Sequence, residues 1–206
     1  MIGIIDYDAG NIKSVEKALD YLGEDTVVSR DPEQLLGADK VILPGVGSFG
    51  QSMENLERYG LIPVIHEIVE KKTPFLGICL GLQLLFESSE ESPGVDGLGI
   101  LKGKIVKIPP KEGLKIPHMG WNSLHLQNNG RLFRGIPEQT YVYFVHSYYL
   151  QAEEPEIVKA VTDYSTCIHA SVEKDNVFAC QFHPEKSSRY GLKILENFAR
   201  IGKEDA

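Results

Sequence analysis

The sequence is poor in cysteine, and its cysteines follow no pairing pattern. Cys79, Cys167 and Cys180 are the three cysteines of this 206-residue chain, an odd number without the CxxC or Cys/His spacing of metal sites. No apolar run approaches the ~20 residues of a membrane-spanning helix, and the N-terminal MIGIIDYD lacks the basic region that opens a secretory signal. We therefore expect a reduced, cytoplasmic chain without disulfides.

Basic residues are scarce relative to acidic ones. The chain has 21 Lys and Arg against 29 Asp and Glu, which gives a formal net charge of −8 at pH 7. Because such a chain repels polyanions, we expect neither nucleic acid nor an anionic membrane as a partner. The length suits one α/β domain with a sizeable core, which we expect to span residues 1–206.

Short apolar segments alternate with helical patterns in the first part of the chain. Residues 1–6, 25–29 and 40–44 predict strands, whereas the apolar positions within 12–22 recur at helical spacing. This alternation predicts an α/β fold with a mostly parallel central sheet and helices on both faces. Binding sites in such sheets form at the carboxyl ends of the strands.

The second half of the sequence is richer in strand patterns. We predict antiparallel or mixed strands at one edge of the parallel sheet, at 100–108, 116–126, 141–150, 157–164, 167–173 and 176–182. A hairpin turn is predicted at Asp175 and Asn176. Ser187 or Ser188 is predicted to cap the last helix.

Residues 74–86 (PFLGICLGLQLLF) change from a strand pattern to a helical one at the segment Gly77-x-Cys79-x-Gly81. A strand that turns abruptly into a helix needs small residues around the tip, because the two backbones cross closely there. This nucleophile elbow would place the sulfur of Cys79 at a helix N-terminus, which favours the thiolate. A buried structural cysteine is the alternative. The two glycines favour Cys79 as a nucleophile.

The third predicted strand runs into a glycine-rich loop, 44–50 (PGVGSFG). The loop lacks the GxxxxGK[ST] and GxGxxG patterns, so phosphate binding is weakly supported, and a plain tight turn is an alternative. A sharper interpretation is that its backbone N–H groups face a tetrahedral oxyanion beside the elbow.

The segment 182–187 (FHPEKS) lies between a predicted strand and the last helix. His183 at a strand end could take the thiol proton and return it to a leaving amine, while Glu185 could orient its ring. Taken alone, His-Pro-Glu is more often a turn. It gains significance when it is paired with Cys79, about a hundred residues upstream in the same predicted sheet.

Other polar residues have two interpretations each. Gln83, one turn into the elbow helix, either hydrogen-bonds a substrate or is simply exposed. The segment 146–148 (HSY) ends an aromatic strand and is either a polar strand end or part of a site. Trp121, the only tryptophan, belongs either to a binding surface or to the core.

The segments 44–47 (PGVG), 77–83 (GICLGLQ) and 182–185 (FHPE) make the chain resemble the class I (triad) glutamine amidotransferases. The motifs occur in the family's order, and the resemblance covers essentially the whole chain. It implies the family's flavodoxin-like fold.

Within that family, the chain resembles the glutaminase subunits of imidazole glycerol phosphate synthase. The similarity rests on 117–122 (PHMGWN), 143–148 (YFVHSY) and 182–187. Cys180 departs from the pattern, in which a small aliphatic residue such as Val is expected.

The resemblance implies a glutaminase mechanism. Cys79 attacks the side-chain amide of glutamine, His183, oriented by Glu185, protonates the departing ammonia, and the thioester on Cys79 is hydrolysed to glutamate. The resemblance implies no metal or organic cofactor. It assigns oxyanion and substrate binding to Gly45, Val46, Gly47, Leu80, Gln83, Ser147 and Tyr148.

A second subunit is also implied, since 206 residues contain no acceptor-binding domain. In this family, ammonia passes through a tunnel to a (β/α)8 cyclase subunit that makes imidazole glycerol phosphate and AICAR in histidine biosynthesis. We expect weak glutaminase activity from the isolated chain, because such sites keep the oxyanion loop unformed until the partner is loaded. The expected partner interface is on loops flanking the triad: Met119, Trp121, Asn122 and Lys186.

Three other functions are alternatives to this one. A cysteine hydrolase or protease would share Cys79 and His183, but it would not explain Gln83 together with the loop 44–47. A binding module with a relic elbow is disfavoured by the complete set of Cys79, His183 and Glu185. An amidotransferase with another acceptor, such as one in pyridoxal phosphate synthesis, would copurify with a synthase barrel rather than a cyclase.

Overall fold

A computed structural model describes residues 1–202. Its strands are, in chain order, β1 (Ile2–Ile5), β2 (Thr26–Ser29), β3 (Lys40–Leu43), β4 (Phe75–Ile78), β5 (Ser88–Ser89), β6 (Gly103–Lys107), β7 (His118–Ser123), β8 (His125–Leu126), β9 (Tyr141–His146), β10 (Tyr148–Ala152), β11 (Val158–Tyr164), β12 (Thr166–Lys174) and β13 (Val177–Cys180). Its α-helices are α1 (Ile12–Tyr21), α2 (Pro32–Leu36), α3 (Phe49–Arg58), α4 (Leu61–Glu70), α5 (Leu80–Leu84) and α6 (Ser188–Arg200).

The predicted parallel sheet is present. Strands β2, β1, β3, β4 and β13 lie side by side in that order, and all pair in parallel. Strands β4 and β13 are neighbours although about a hundred residues separate them, so their carboxyl ends meet. This adjacency brings the elbow and the His-Pro-Glu segment to the same edge of the sheet.

The sheet separates two hydrophobic cores. Alternate residues of a strand point to opposite faces, so Ile5 packs with helices α2 to α5, whereas Ile4 packs with α1 and α6. The sequence does not predict α3. Its buried residues Phe49, Met53 and Leu56 nevertheless recur at helical spacing, and Phe49 belongs to the expected loop.

Only part of the predicted antiparallel region lies at the edge of the main sheet. Strands β12, β11 and β8 extend it beyond β13 with antiparallel pairing, as expected. The segment 141–150 instead breaks at Ser147 into β9 and β10, which join two separate small sheets, β7-β9 and β10-β6-β5. Pairing of this kind depends on residues far apart in the chain, which strand patterns do not encode.

The two-stranded sheet of β7 and β9 has two different faces. Met119 and Trp121 lie on its exposed face, and Trp121 meets Tyr143 edge to face. The opposite face holds the buried pair His118 and His146, which are direct partners in the register.

Local turn and cap predictions had mixed outcomes. Asp31 caps α2 through a hydrogen bond from the Glu33 amide. The predicted hairpin turn joins β12 to β13. Ser187 occupies the N-cap position of α6, as predicted, but its hydroxyl donates to the carbonyl of His183 and makes no hydrogen bond to a helix amide.

Candidate active site

The elbow has the strained backbone that this geometry requires. Cys79 connects β4 to α5 with φ 55° and ψ −108°, an unusual conformation for a residue with a side chain. A Cβ on Gly77 would lie 2.7 Å from the carbonyl oxygen of Gly81, and one on Gly81 would lie 1.9 Å from that of Leu43. Both glycines are therefore fixed by close backbone approach.

His183 and Glu185 lie just beyond the carboxyl end of β13. Nδ1 of His183 is 2.7 Å from Oε1 of Glu185, and both side chains are buried. Among the described residues, none hydrogen-bonds to His183 Nε2. The ring is therefore held at one nitrogen and available at the other.

Two neighbours that the sequence does not reveal hold this pair in place. Nδ2 of Asn11 donates to the same Glu185 oxygen that faces the histidine. The Ser187 hydroxyl donates to the His183 carbonyl at 2.6 Å and accepts from the Tyr143 amide at 2.9 Å. Asn11 lies 174 positions from Glu185, so local spacing could not have revealed this contact.

The electrostatics favour a protonated His183. Burial by itself lowers the pKa of this imidazole, but its interactions with Cys79 and Glu185 outweigh burial and raise the pKa to about 10. A carboxylate that faces Nδ1 stabilises the imidazolium, as the third member of a catalytic triad does.

Cys79 and His183 line one cavity of about 300 Å³. This volume is at the lower end for small-molecule sites. The predicted residues Val46, Gly47, Leu80, Gln83, Ser147 and Tyr148 line the same cavity. Its walls also contain Glu91, Pro117 and Val145, which the sequence did not single out for the site, and His146 from the segment 146–148.

Comparison with known proteins identifies the family of this chain. The family model for “Glutamine amidotransferase class-I” matches residues 3–201. The chain belongs to that family. It is 53% identical to “Imidazole glycerol phosphate synthase subunit HisH” of Desulfitobacterium hafniense, over 100% of this chain and 97% of the relative. The protein of the same name from Methanocaldococcus jannaschii is 51% identical, over 98% and 100%.

Solved structures support the same fold. “Crystal structure of glutamine amidotransferase” has a TM-score of 0.74 and 20% identity, and covers 96% of this chain and 98% of that one. “Structure of PurLQS from Thermotoga maritima” has a TM-score of 0.74 and 21% identity, and covers 97% of both chains. At these identities the likeness concerns the fold alone, and it confirms the predicted fold class.

In this amidotransferase, the glycine-rich loop contacts the elbow directly. The Leu80 amide, a predicted oxyanion donor, donates to the carbonyl of Gly45 at 3.3 Å. The hydroxyl of Tyr7 anchors the start of the loop by donating to the Pro44 carbonyl at 2.7 Å. The Gly45 carbonyl therefore engages the Leu80 N–H group that an oxyanion would need. Gly45 itself is buried and is not among the cavity-lining residues, and a Cβ on it would lie 2.5 Å from the Tyr7 oxygen.

Gln83 has a fixed amide orientation. Its Nε2 donates to the Tyr148 carbonyl and to Gln181 Oε1, both at 3.0 Å. Because the nitrogen has two acceptors, Oε1 of Gln83 is the atom left to accept a hydrogen bond in the cavity. Gln181 in turn places its Nε2 3.8 Å from the sulfur of Cys79.

Glu91 brings a carboxylate to the cavity wall. Its Oε2 accepts from the Phe49 amide at 2.8 Å, at the beginning of α3. The side chain is thus held by the helix that follows the glycine-rich loop. No short motif marks Glu91 in the sequence, because its partner is 42 positions away.

The predicted interface residues have different surroundings. Met119 and Trp121 are 62% and 52% exposed, and Lys186 is also exposed. Asn122 is half-buried, and its polar groups contact His118, Asp163 and the Ser123 amide.

The described part of the chain shows neither a metal cluster nor a membrane helix. Among residues 1–202, no group of three or more His, Cys, Asp or Glu side chains could hold a metal ion. No helix in this range is long and apolar enough to cross a membrane. The three cysteines are free thiols, and burial raises the pKa of the Cys180 thiol.

Proposed function

We propose that this amidotransferase hydrolyses glutamine to glutamate and ammonia, as the glutaminase subunit of an imidazole glycerol phosphate synthase. One observation carries the proposal. Cys79, presented on a strained elbow, lines the same cavity as His183. Nδ1 of His183 is held by the buried Glu185 carboxylate. A nucleophile, a proton carrier and an orienting carboxylate are the three groups that acyl transfer needs.

The chemistry follows from these positions. The sulfur of Cys79 attacks the amide carbon of the glutamine side chain, and His183 gives its proton to the nitrogen that leaves as ammonia. Water then attacks the thioester, with His183 taking a proton, and glutamate leaves while the thiol is restored. Glu185 keeps the imidazole oriented and stabilises its charged form throughout.

The oxyanion donors are the Leu80 amide and the backbone of the loop containing Gly45, Val46 and Gly47. The Leu80 amide is engaged by the Gly45 carbonyl at rest, so the loop must move before that N–H can meet an oxyanion. This contact supports weak activity of the isolated chain and stimulation by a partner that moves the loop.

The cavity also offers groups for the amino-acid end of glutamine. Oε1 of Gln83 and the Glu91 carboxylate are acceptors that suit an α-ammonium group. Ser147 and Tyr148 line the same cavity and add backbone and side-chain polar groups. We assign glutamine binding to these four residues.

The partner we propose is the cyclase subunit, which the resemblance identifies as a (β/α)8 barrel. The relatives' names describe them as one subunit of imidazole glycerol phosphate synthase. The exposed Met119 and Trp121 give the face of β7 and β9 the apolar character of an interface, with Lys186 exposed on the segment after His183. Asn122 is half-buried, and its side-chain amide is hydrogen-bonded within the chain, so we propose it at the edge of this interface.

Domain organisation and location complete the proposal. We propose one domain, because the family match extends from residue 3 to 201 without a break. We also propose that it works in the cytoplasm, where its three free cysteines would stay reduced.

The test is glutamate production from glutamine by the purified chain. It is measured alone and with a cyclase subunit plus that enzyme's nucleotide substrate, with Cys79→Ala as the control. We expect weak basal activity, strong stimulation by the loaded partner, and loss of both in the control. Basal activity without stimulation would point to a different acceptor subunit, and no activity in either condition would overturn the proposal.

The interface has its own test, Trp121→Ala. We expect weaker binding of the cyclase subunit, because a large exposed aromatic side chain is lost, and unchanged basal glutaminase activity. Titration calorimetry with the partner measures the affinity. An unchanged affinity would remove Trp121 from the interface.

A further inference from the structure

We propose that His118 and His146 are positioning residues, which hold one wall of the glutamine cavity through a hydrogen-bond chain with a single fixed direction. The chain begins at Asn122 in β7 and ends at the carbonyl of Tyr148. The inference rests on the proposed function, since it assigns a role in binding glutamine.

One end of the chain is fixed by Asn122. Its Oδ1 accepts from the Ser123 amide at 2.8 Å, and its Nδ2 donates to the Asp163 carbonyl at 3.1 Å. The amide orientation is therefore settled, and the second N–H of Nδ2 faces Nε2 of His118 at 3.2 Å. Nε2 of His118 must accept, so the proton of this neutral ring is on Nδ1.

The other end is fixed by a backbone carbonyl, which can only accept. Nδ1 of His146 lies 2.8 Å from the Tyr148 oxygen, so Nδ1 bears a proton and Nε2 of His146 is an acceptor. Between the ends, Nδ1 of His118 lies 2.9 Å from Nε2 of His146. In this contact His118 Nδ1 is the donor and His146 Nε2 is the acceptor. The two ends of the chain impose these same roles independently.

The surroundings keep both rings uncharged. Burial lowers the pKa of His118 to about 4 and that of His146 to about 3. His118 is also stacked between Phe144 and Tyr164, with ring centroids at 4.7 and 4.0 Å. A proton on either ring would place two donors face to face and break the chain.

The chain reaches the cavity through the Tyr148 carbonyl. That oxygen also accepts from Gln83 Nε2 at 3.0 Å, the bond that leaves Gln83 Oε1 facing the cavity. His146, Ser147 and Tyr148 all line the cavity. Loss of the His118 donor would free His146 to change tautomer and release the Tyr148 carbonyl. This change would affect how glutamine is held but not the thiol.

Two substitutions separate the hydrogen bond from the aromatic stack. His118→Phe keeps a ring between Phe144 and Tyr164 but has no N–H, whereas His118→Asn keeps an N–H near the position of Nδ1 and loses the ring. Alkylation of Cys79 by a diazoketone analogue of glutamine is followed by mass spectrometry. The half-saturating concentration of the analogue and the maximal rate of alkylation are obtained separately. Iodoacetamide serves as a reagent that needs no glutamine site.

We expect His118→Phe to raise the half-saturating concentration about five- to tenfold, the effect of one lost hydrogen bond. Its maximal rate and its reaction with iodoacetamide should match those of the wild type, and His118→Asn should lie closer to the wild type throughout. If Asn is the more harmful substitution, if both are equally harmful, or if neither has an effect, the inference is wrong.

A second readout does not depend on glutamine. Nitrogen-15 NMR of labelled histidine should show His146 protonated on Nδ1 in the wild type and no longer held in that form in His118→Phe. An Nε2-protonated His146 in the wild type would overturn the inference. A wild type with this tautomer that neither hydrolyses glutamine nor reacts with its analogue would instead overturn the proposed function.

Discussion

The molecule contains two buried histidine systems whose pKa values are shifted in opposite directions. His183 has its pKa raised to about 10, while His118 and His146 have theirs lowered to about 4 and about 3. Burial lowers the pKa in all three cases. The difference comes from the partners: His183 interacts with Cys79 and Glu185, whereas His118 and His146 are held by a side-chain amide and a backbone carbonyl.

The comparison shows how one fold assigns two functions to the same residue type. A buried imidazole beside a carboxylate can gain and lose a proton during a reaction. A buried imidazole between neutral partners keeps one tautomer and acts as a fixed connector. Three predictions test this distinction.

The largest expected effect comes from Glu185→Gln, which removes the carboxylate charge beside His183. We expect glutamate production in the partner-bound state to fall roughly 10³- to 10⁴-fold, the effect of the corresponding change in a catalytic triad. Glu112→Gln, on the exposed surface, is the matched control. A loss of less than about tenfold would mean that His183 does not depend on this carboxylate.

The next prediction concerns stability against pH, for which the two systems have opposite signs. Protonated His183 stabilises the fold below its usual pKa of 6.5, and this contribution is lost as the pH rises toward about 10. His118 and His146 are neutral when folded, so stability is lost as the pH falls from 6.5 toward about 4 and about 3.

Chemical denaturation across both ranges measures these contributions. His183→Gln should flatten the alkaline side of the stability profile only, and His118→Phe should flatten the acidic side only. If each substitution changes the acidic and alkaline sides of the stability profile equally, the distinction between the two histidine systems is wrong.

The smallest expected effect comes from Asn11, which donates to Glu185. Asn11 has φ 73°, so Asn11→Gly removes the side chain without straining the backbone. We expect kcat to fall about three- to tenfold with little change in KM, because Glu185 loses one of its two partners. Asn129→Gly, at an exposed asparagine that also has a positive φ, should leave both constants unchanged.

The sequence predicts the parts of the molecule that depend on local pattern. The elbow at Cys79 follows from two glycines and a change of period, and the parallel sheet follows from alternating elements. Predictions fail where pairing joins distant segments. The small sheets of β7-β9 and β10-β6-β5 are examples, and Asn11 and Glu91 approach the site from 174 and 42 positions away from their partners.

The contact between the Leu80 amide and the Gly45 carbonyl determines which mutations can release the resting site. Both atoms belong to the main chain, so no side chain supplies the donor or the acceptor. Apart from proline at position 80, which has no N–H, no single substitution deletes either partner chemically. A substitution can break this contact only by displacing the backbone, as a side chain at Gly45 would, whereas the triad loses a reacting group by one nucleotide change.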